Sequence, residues 1–239
     1  MPGELGWFRE LVIDFKDGQR ATFEIERRPT GTHIPAVKSP APWTKLGYRK
    51  CPCCPLPGDL GWCPAALSLQ TTLERLRHRT SVEMVTATAI DERGRKETTT
   101  APLQSVGAVL VQLAVFASEC PVGRSVKPHL GGLSPFIPST ELIQALLDRI
   151  VAAGGDVEKL VKPLHEVFVY LLSRLSGGSG KANEDAIPNS VVRVDAIAQA
   201  LAFRARRLSD EMSGQLGWTE RKQRPQTGLW GKLRGLFGR

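Results

Sequence analysis

The chain has 239 residues, of which 41% are apolar, and it carries a net charge of +8 at pH 7. This apolar share is typical of a globular protein and too high for a disordered one. No apolar run approaches the roughly 18–20 residues that span a bilayer, and the N-terminal residues lack the pattern of a secretory signal, so we expect a cytoplasmic protein.

The first part of the chain is typical of two β-hairpins. In "LVIDFKDGQRATFEIE", residues 11–26, apolar and polar residues alternate on both sides of Asp17-Gly18, a strong signal for a tight turn. Residues 81–100 are rich in β-branched residues and are interrupted at 92–94, which predicts a second hairpin. Between the hairpins, four prolines in residues 28–42 predict irregular backbone. Four strands in two hairpins predict one antiparallel sheet.

Helical spacing of apolar residues dominates the rest of the chain. It predicts helices over residues 64–78, 104–118, 139–153, 163–175 and 190–208. Strands that precede helices indicate an α+β domain over residues 1–208, in which the antiparallel sheet packs on a C-terminal helical bundle. Residues 209–226 are polar and contain Gly and Pro, so we predict a flexible linker there.

Four of the five cysteines lie between residues 51 and 63, in "CPCCPLPGDLGWC". In a reducing compartment such a cluster indicates metal ligands rather than disulfides. Cys51 and Cys54 have the C-x2-C spacing, Cys63 supplies a third sulfur, and Cys120 in "SECP" supplies a fourth. Four thiolates at about 2.3 Å from Zn²⁺ would form a closed structural site.

The cysteine cluster is also compatible with roles that involve no zinc. The cysteines could be buried free thiols, or Cys51 and Cys54 could be a redox pair, although the prolines at 55 and 57 disfavour the helix start that such a pair requires. An iron–sulfur cluster is the alternative to zinc, because thiolate–proline steps also occur around such clusters.

The chain resembles an uncharacterised bacterial family of unknown function over residues 10–208. The resemblance lies in the Asp-Gly hairpin, a C-x-x-C-P-L segment, a following C-P step and an S-x-C-P step after an apolar helix. The matching residues are Asp17-Gly18, Cys51, Cys54, Pro55, Leu56, Cys63, Pro64, Ser118, Cys120 and Pro121. The resemblance implies Cys51, Cys54, Cys63 and Cys120 as one set and leaves Cys53 outside it. It implies no activity.

No arrangement of residues indicates catalysis. "GGSGKA", residues 177–182, lacks the first glycine and the final Ser/Thr of a phosphate loop. The four histidines are scattered and belong to no nucleophile or metal motif. We therefore expect a non-enzymatic protein.

The last thirteen residues, "TGLWGKLRGLFGR", form an amphipathic pattern. On a helix their large apolar side chains fall within an arc of roughly 120°; these are Leu229, Trp230, Leu233, Leu236 and Phe237, while Lys232 and Arg234 lie outside it. The basic charge is concentrated nearby, since residues 204–239 carry nine Lys/Arg and three Asp/Glu. We predict a separate amphipathic helix at 227–239 that binds an anionic membrane surface or a groove in a partner protein.

The tail resembles the C-terminal membrane-targeting sequences of the Min-system cell-division ATPases, which are short, glycine-flanked, basic and rich in Leu and Phe. The resemblance covers about ten residues and implies membrane targeting, but no ATPase. The alternative for the tail is that it packs against its own domain.

Three functions follow from these observations. The first is an accessory or adaptor protein with a metal-stabilised domain, held peripherally at the inner face of the cytoplasmic membrane. The second is a nucleic-acid-binding module that uses the basic residues 204–224. The third is an iron–sulfur protein. We rank the first highest, because the aromatic residues of the tail share one helix face and are not interleaved for base stacking.

Overall fold

The computed structural model describes residues 8–24, 37, 39–76, 78–91, 93–176 and 185–223. For residues 211–223 it describes only the backbone. The strands are β1 (Phe8–Asp14), β2 (Arg20–Glu24), β3 (Met84–Asp91) and β4 (Lys96–Pro102). The helices are α1 (Pro64–Leu76), α2 (Leu103–Phe116), α3 (Pro121–Val126), α4 (Ser139–Ala152), α5 (Val157–Ser176) and α6 (Ala186–Gln223). Short 3₁₀ turns occur at Pro42–Thr44 and Lys127–His129. The predicted α+β class is confirmed.

The four strands form one antiparallel sheet in the order β2-β1-β3-β4, so the two predicted hairpins join through β1 and β3. Leu11 and Ile13 of β1 pair with Ala89 and Ala87 of β3, and all four side chains are buried on the core face. Threonines line the other face, where the hydroxyls of Thr88 and Thr98 lie 3.0 Å apart. The alternation of apolar and polar residues thus gives the sheet one buried face.

Helix α2 is the central element of the helical layer. Ten of its fourteen residues are buried, as its almost uniformly apolar sequence predicts. It packs against α1 and α6, and α6 packs in turn against α5. The helices α2 and α6 approach closely at Gly107, where a Cβ atom would lie 2.1 Å from Oγ of Ser190 in α6. The observed packing of α2 on α6 therefore leaves no room for a side chain at this position.

Two helices begin earlier than predicted. α5 begins at Val157, because the carboxylate of Asp156 accepts a hydrogen bond from the N–H of Lys159 at 3.1 Å and caps the first turn. α6 begins at Ala186, so Pro188 lies in the first turn, where its missing N–H has no intrahelical acceptor to lose. Helix α3, which follows Cys120 and starts with Pro121, was not predicted.

Helix α6 also continues beyond the predicted end, through residues 209–223, for which we predicted irregular backbone. The glycines at 214 and 217 weaken a helix by about 1 kcal/mol each but do not end it. Gln223 is the last residue of the helix that the structure describes. The terminal helix predicted at 227–239 lies outside the described residues, and the division of the chain at residues 208 and 226 stays a prediction.

No single helix within the described ranges is long and apolar enough to cross a membrane. α2 and the segment Pro121–His129 pass such a test only as a pair, and they are bent by 99° with respect to each other.

Substitution of Gly107 by alanine should lower the free energy of unfolding by about 1–3 kcal/mol, because the new methyl group overlaps Ser190. Urea denaturation measures the change. Gly47→Ala is the matched control, since nothing lies within 4 Å of its Cβ position, and it should change stability by less than about 1 kcal/mol. Adding Ser190→Ala should recover part of the loss; equal stability of Gly107→Ala and the wild type would contradict this packing.

Candidate metal centre

The cysteines at 51–63 lie in a loop whose two ends are joined. Lys45 and Trp62 form an isolated antiparallel bridge, and the N–H of Cys63 donates to the carbonyl of Thr44 at 2.8 Å. Inside the loop, the N–H of Cys54 donates to the carbonyl of Cys51 at 3.0 Å, which closes a tight turn over the C-x2-C spacing. The loop thus presents Cys51 and Cys54 from one turn, while Cys63 lies at its exit.

Arg174 of α5 attaches the base of this loop to the helical layer. Its guanidinium donates to the carbonyls of Trp43 at 2.8 Å, Lys45 at 2.7 Å and Leu46 at 3.2 Å. The residue is only 1% exposed, and its Nε atom has no hydrogen-bond partner. Among the described residues no carboxylate forms an ion pair with it, so a full positive charge is buried with carbonyl dipoles as its only hydrogen-bond partners.

The four cysteines that we predicted as a set belong to one electrostatic cluster. Cys51 interacts with Cys63 and Cys120, Cys54 also interacts with Cys63 and Cys120, and Cys63 interacts with Cys120. The loop, the start of α1 and the start of α3 bring these residues together across 69 positions of sequence, from Cys51 to Cys120.

Cys63 and Cys120 occupy equivalent positions, because each directly precedes a proline at the first position of a helix. The N–H groups of Ala66 and Ala65 lower the pKa of Cys63, and those of Gly123 and Val122 lower the pKa of Cys120. At Cys120 these N–H groups do not form a capping hydrogen bond of normal geometry. Both sulfurs therefore face backbone donors that favour the thiolate.

Burial acts against the thiolate more strongly than these donors favour it. Burial, followed by the charges of neighbouring cysteines, raises the pKa of Cys51 to about 12, while Arg174 lowers it. Burial also raises the pKa of Cys120 to about 11 and, in direction, the pKa of Cys63, where Arg174 again acts in the opposite sense. The guanidinium is thus close enough to stabilise negative charge on two of the four sulfurs.

Cys53 has a different environment from the other four cysteines. Its thiol donates to the carbonyl of Pro163 in α5 at 3.6 Å. Burial, and then the nearby carboxylate of Glu166, raise its pKa to about 12. The structure therefore places Cys53 against α5, although it also interacts with Cys51 and Cys120.

In the part of the chain that the structure describes, no set of three or more His, Cys, Asp or Glu side chains has the geometry of a formed metal site. A bound ion would therefore require the cysteines to rearrange. The donor set has the chemistry of a zinc or iron–sulfur site, since it consists entirely of thiols.

Arg174 and Glu166 were not predicted from the sequence as part of the site. Arg174 could have been found, because it follows Leu164, Phe168 and Leu171 at helical spacing and so lies on the apolar face of α5. A charged residue on an apolar face requires buried partners. The predicted residues of the tail, 227–239, lie outside the described part of the chain.

The fold and the cluster define an α+β domain with five free cysteines, of which Cys63 and Cys120 are buried and the other three are half-buried. The chain belongs to the family of a domain of unknown function, DUF6901, whose model matches residues 11–148. The match includes all five cysteines and ends within α4, so α5 with Arg174 lies beyond it. No curated protein and no solved structure matches the chain significantly. The family prediction is confirmed, while the cysteine pattern as a family feature and the resemblance of the tail stay predictions.

Substitution of Arg174 by methionine should destabilise the domain by about 3 kcal/mol or more, because three buried carbonyls lose their donor. Urea denaturation of both proteins measures the difference. Arg20→Met is the control: Arg20 is 66% exposed and pairs with Asp14 at the surface, so its loss should cost below about 1 kcal/mol. Equal effects of the two substitutions would show that Arg174 does not hold the loop.

Proposed function

We propose that the chain is a non-enzymatic accessory or adaptor protein whose domain is stabilised by one metal centre. In this proposal its C-terminal amphipathic helix recruits it to the inner face of the cytoplasmic membrane or to a groove in a partner protein. The metal ligands are Cys51, Cys54, Cys63 and Cys120, and the ion is zinc, with an iron–sulfur cluster as the alternative.

One observation carries the metal proposal: the guanidinium of Arg174 is buried, has no carboxylate partner among the described residues, and lies close enough to Cys51 and Cys63 to lower the pKa of both thiols. A lone buried cation is costly. Four thiolates around Zn²⁺ carry a net charge of −2, so a bound ion would supply the negative group that Arg174 lacks. The same contacts would stabilise the thiolates, which burial otherwise disfavours.

Four protein ligands fill the tetrahedral coordination of zinc and leave no position for water or substrate. A centre of this kind contributes to folding rather than to catalysis, because a catalytic zinc keeps one position open. The donor set therefore supports a structural role, in which the ion would connect the loop, the start of α1 and the start of α3.

The recruitment proposal is supported by the length of α6. Ala205 is buried in the core, and the helix continues for eighteen residues beyond it, to Gln223. At 1.5 Å per residue this extension measures about 27 Å. Three residues then lead to Thr227, the first residue of the amphipathic tail. An extended helix would hold the tail at a distance from the core and favours an external surface over the chain's own domain.

Protein purified without chelator should contain about one metal centre per chain. Elemental analysis should find it in the wild type and in Cys53→Ser, and should find much less in Cys51→Ser, Cys54→Ser, Cys63→Ser and Cys120→Ser. Zinc in colourless protein supports the structural site; iron with visible colour selects the iron–sulfur alternative. Metal-free wild-type protein, or equal loss of metal from Cys53→Ser, contradicts the proposed ligand set.

Deletion of residues 227–239 should abolish co-sedimentation with anionic phosphatidylglycerol vesicles. A matched pair of substitutions separates the apolar face from charge: Leu236→Glu and Thr227→Glu each add one negative charge, but only Leu236 lies on the apolar arc. We expect Leu236→Glu to weaken binding at least about tenfold more than Thr227→Glu, because burial of a leucine is worth roughly 1.5–3 kcal/mol. Unchanged sedimentation of the deleted chain would exclude the lipid surface.

A further inference from the structure

A cleft separate from the cysteine cluster lies between β4, α2 and α6, and the segment at residues 135–139 forms its fourth side. Its volume is about 160 Å³. A hydrogen bond from the hydroxyl of Ser134 to the carboxylate of Glu97, and another from the N–H of Phe136 to Oγ of Ser134 at 3.0 Å, hold this segment beside β4. The cleft is thus bounded by ordered elements on all sides that the structure describes.

The polar groups of the cleft favour an anion. Arg193 of α6 is the only charged residue among those that line it, and no described carboxylate pairs with its guanidinium. Gln112 is one of two amides in the otherwise largely apolar helix α2, and its side chain forms no hydrogen bond with another described residue. Ser105 adds a hydroxyl at the same cleft. The lining residues thus provide one cation and uncharged hydrogen-bond donors, and no carboxylate. This combination is complementary to an acid that carries a single negative charge.

Apart from Thr99 and Ser139, the other residues that line the cleft are apolar, and Val109, Ile137 and Ile197 are among them. Two smaller cavities adjoin it, and both share Gln112 and Leu142 with it. One of them lies against Phe168 and Leu201 in the core. A cavity of about 150 Å³ is large enough for a benzene molecule, so the space suits an apolar group of about six to eight carbon atoms.

We propose that this cleft binds a monocarboxylate with an apolar body of about six to eight carbon atoms. The carboxylate lies against Arg193 and Gln112, and the apolar body lies against Val109, Ile137 and Ile197. This site depends neither on the metal centre nor on the tail. The basic tail does not suit this cleft, because the only charged lining residue is the cation Arg193 and no carboxylate lines the cleft to pair with the tail.

Octanoate is the probe, and methyl NMR spectra of the full chain are the readout. Octanoate should bind saturably and shift the methyl signals of Ile137 and Ile197. Arg193→Gln should lower the affinity for octanoate about tenfold, because a charge-assisted contact is lost. The affinity of this variant for 1-octanol should stay within about twofold of the wild-type value. Arg204→Gln, which removes an exposed cation of the same helix outside the cleft, should leave both ligands unchanged.

Val109→Phe fills the cleft and should abolish binding of both probes. Failure of octanoate to bind, shifts confined to the leucine methyls of the tail, or equal octanoate affinity of Arg193→Gln and the wild type would each overturn the proposal. Arg193 is exposed, so its variant tests the site even if Val109→Phe does not fold. These readouts require neither metal analysis nor vesicles, so their failure would leave the proposed function standing.

Discussion

The buried guanidinium of Arg174 is the interaction on which the arrangement of the cysteines depends. Three carbonyls from residues 43–46 accept its hydrogen bonds, and these residues form the base of the loop that carries Cys51 and Cys54. The same charge lowers the pKa of Cys51 and Cys63 against the effect of burial. One side chain of α5 therefore both positions the loop and favours negative charge at the sulfurs. Without a negative partner, such a charge is costly to bury.

The sequence predicted the parts of the fold that depend on local patterns. The Asp17-Gly18 turn, both hairpins and the buried helix α2 follow from alternation, turn residues and helical spacing. Local patterns failed at the helix ends. We predicted that the last helix ends at Leu208 and that a flexible linker follows, but α6 continues through Gly214 and Gly217, because a helix already packed on α2 and α5 tolerates glycine. The short helix α3 has too few residues to give a periodic signal.

The candidate site was predicted in its residue types but not in its electrostatics. Cysteine spacing and the family resemblance named Cys51, Cys54, Cys63 and Cys120 as one ligand set, and this set stays a prediction; Cys53, which the resemblance left outside it, donates to α5. The spacing of the cysteines could not predict the effect of Arg174 and Glu166 on the site, because both residues lie more than a hundred residues after the cysteine loop. Their role depends on which face of α5 meets the loop, a tertiary contact. The cleft at Arg193 likewise joins β4 and α2, which are consecutive, to α6, which is distant from both in sequence.

X-ray absorption at the edge of the metal that copurifies with the chain is the most direct test of the proposed metal centre. It tests whether one centre is held together by Cys51, Cys54, Cys63 and Cys120. The fine structure of the spectrum gives the identity and distance of the bound atoms. We expect a first shell of sulfur alone, with four sulfur atoms at about 2.3 Å if the metal is zinc. A shell that contains nitrogen or oxygen, or fewer than four sulfur atoms, would contradict this ligand set.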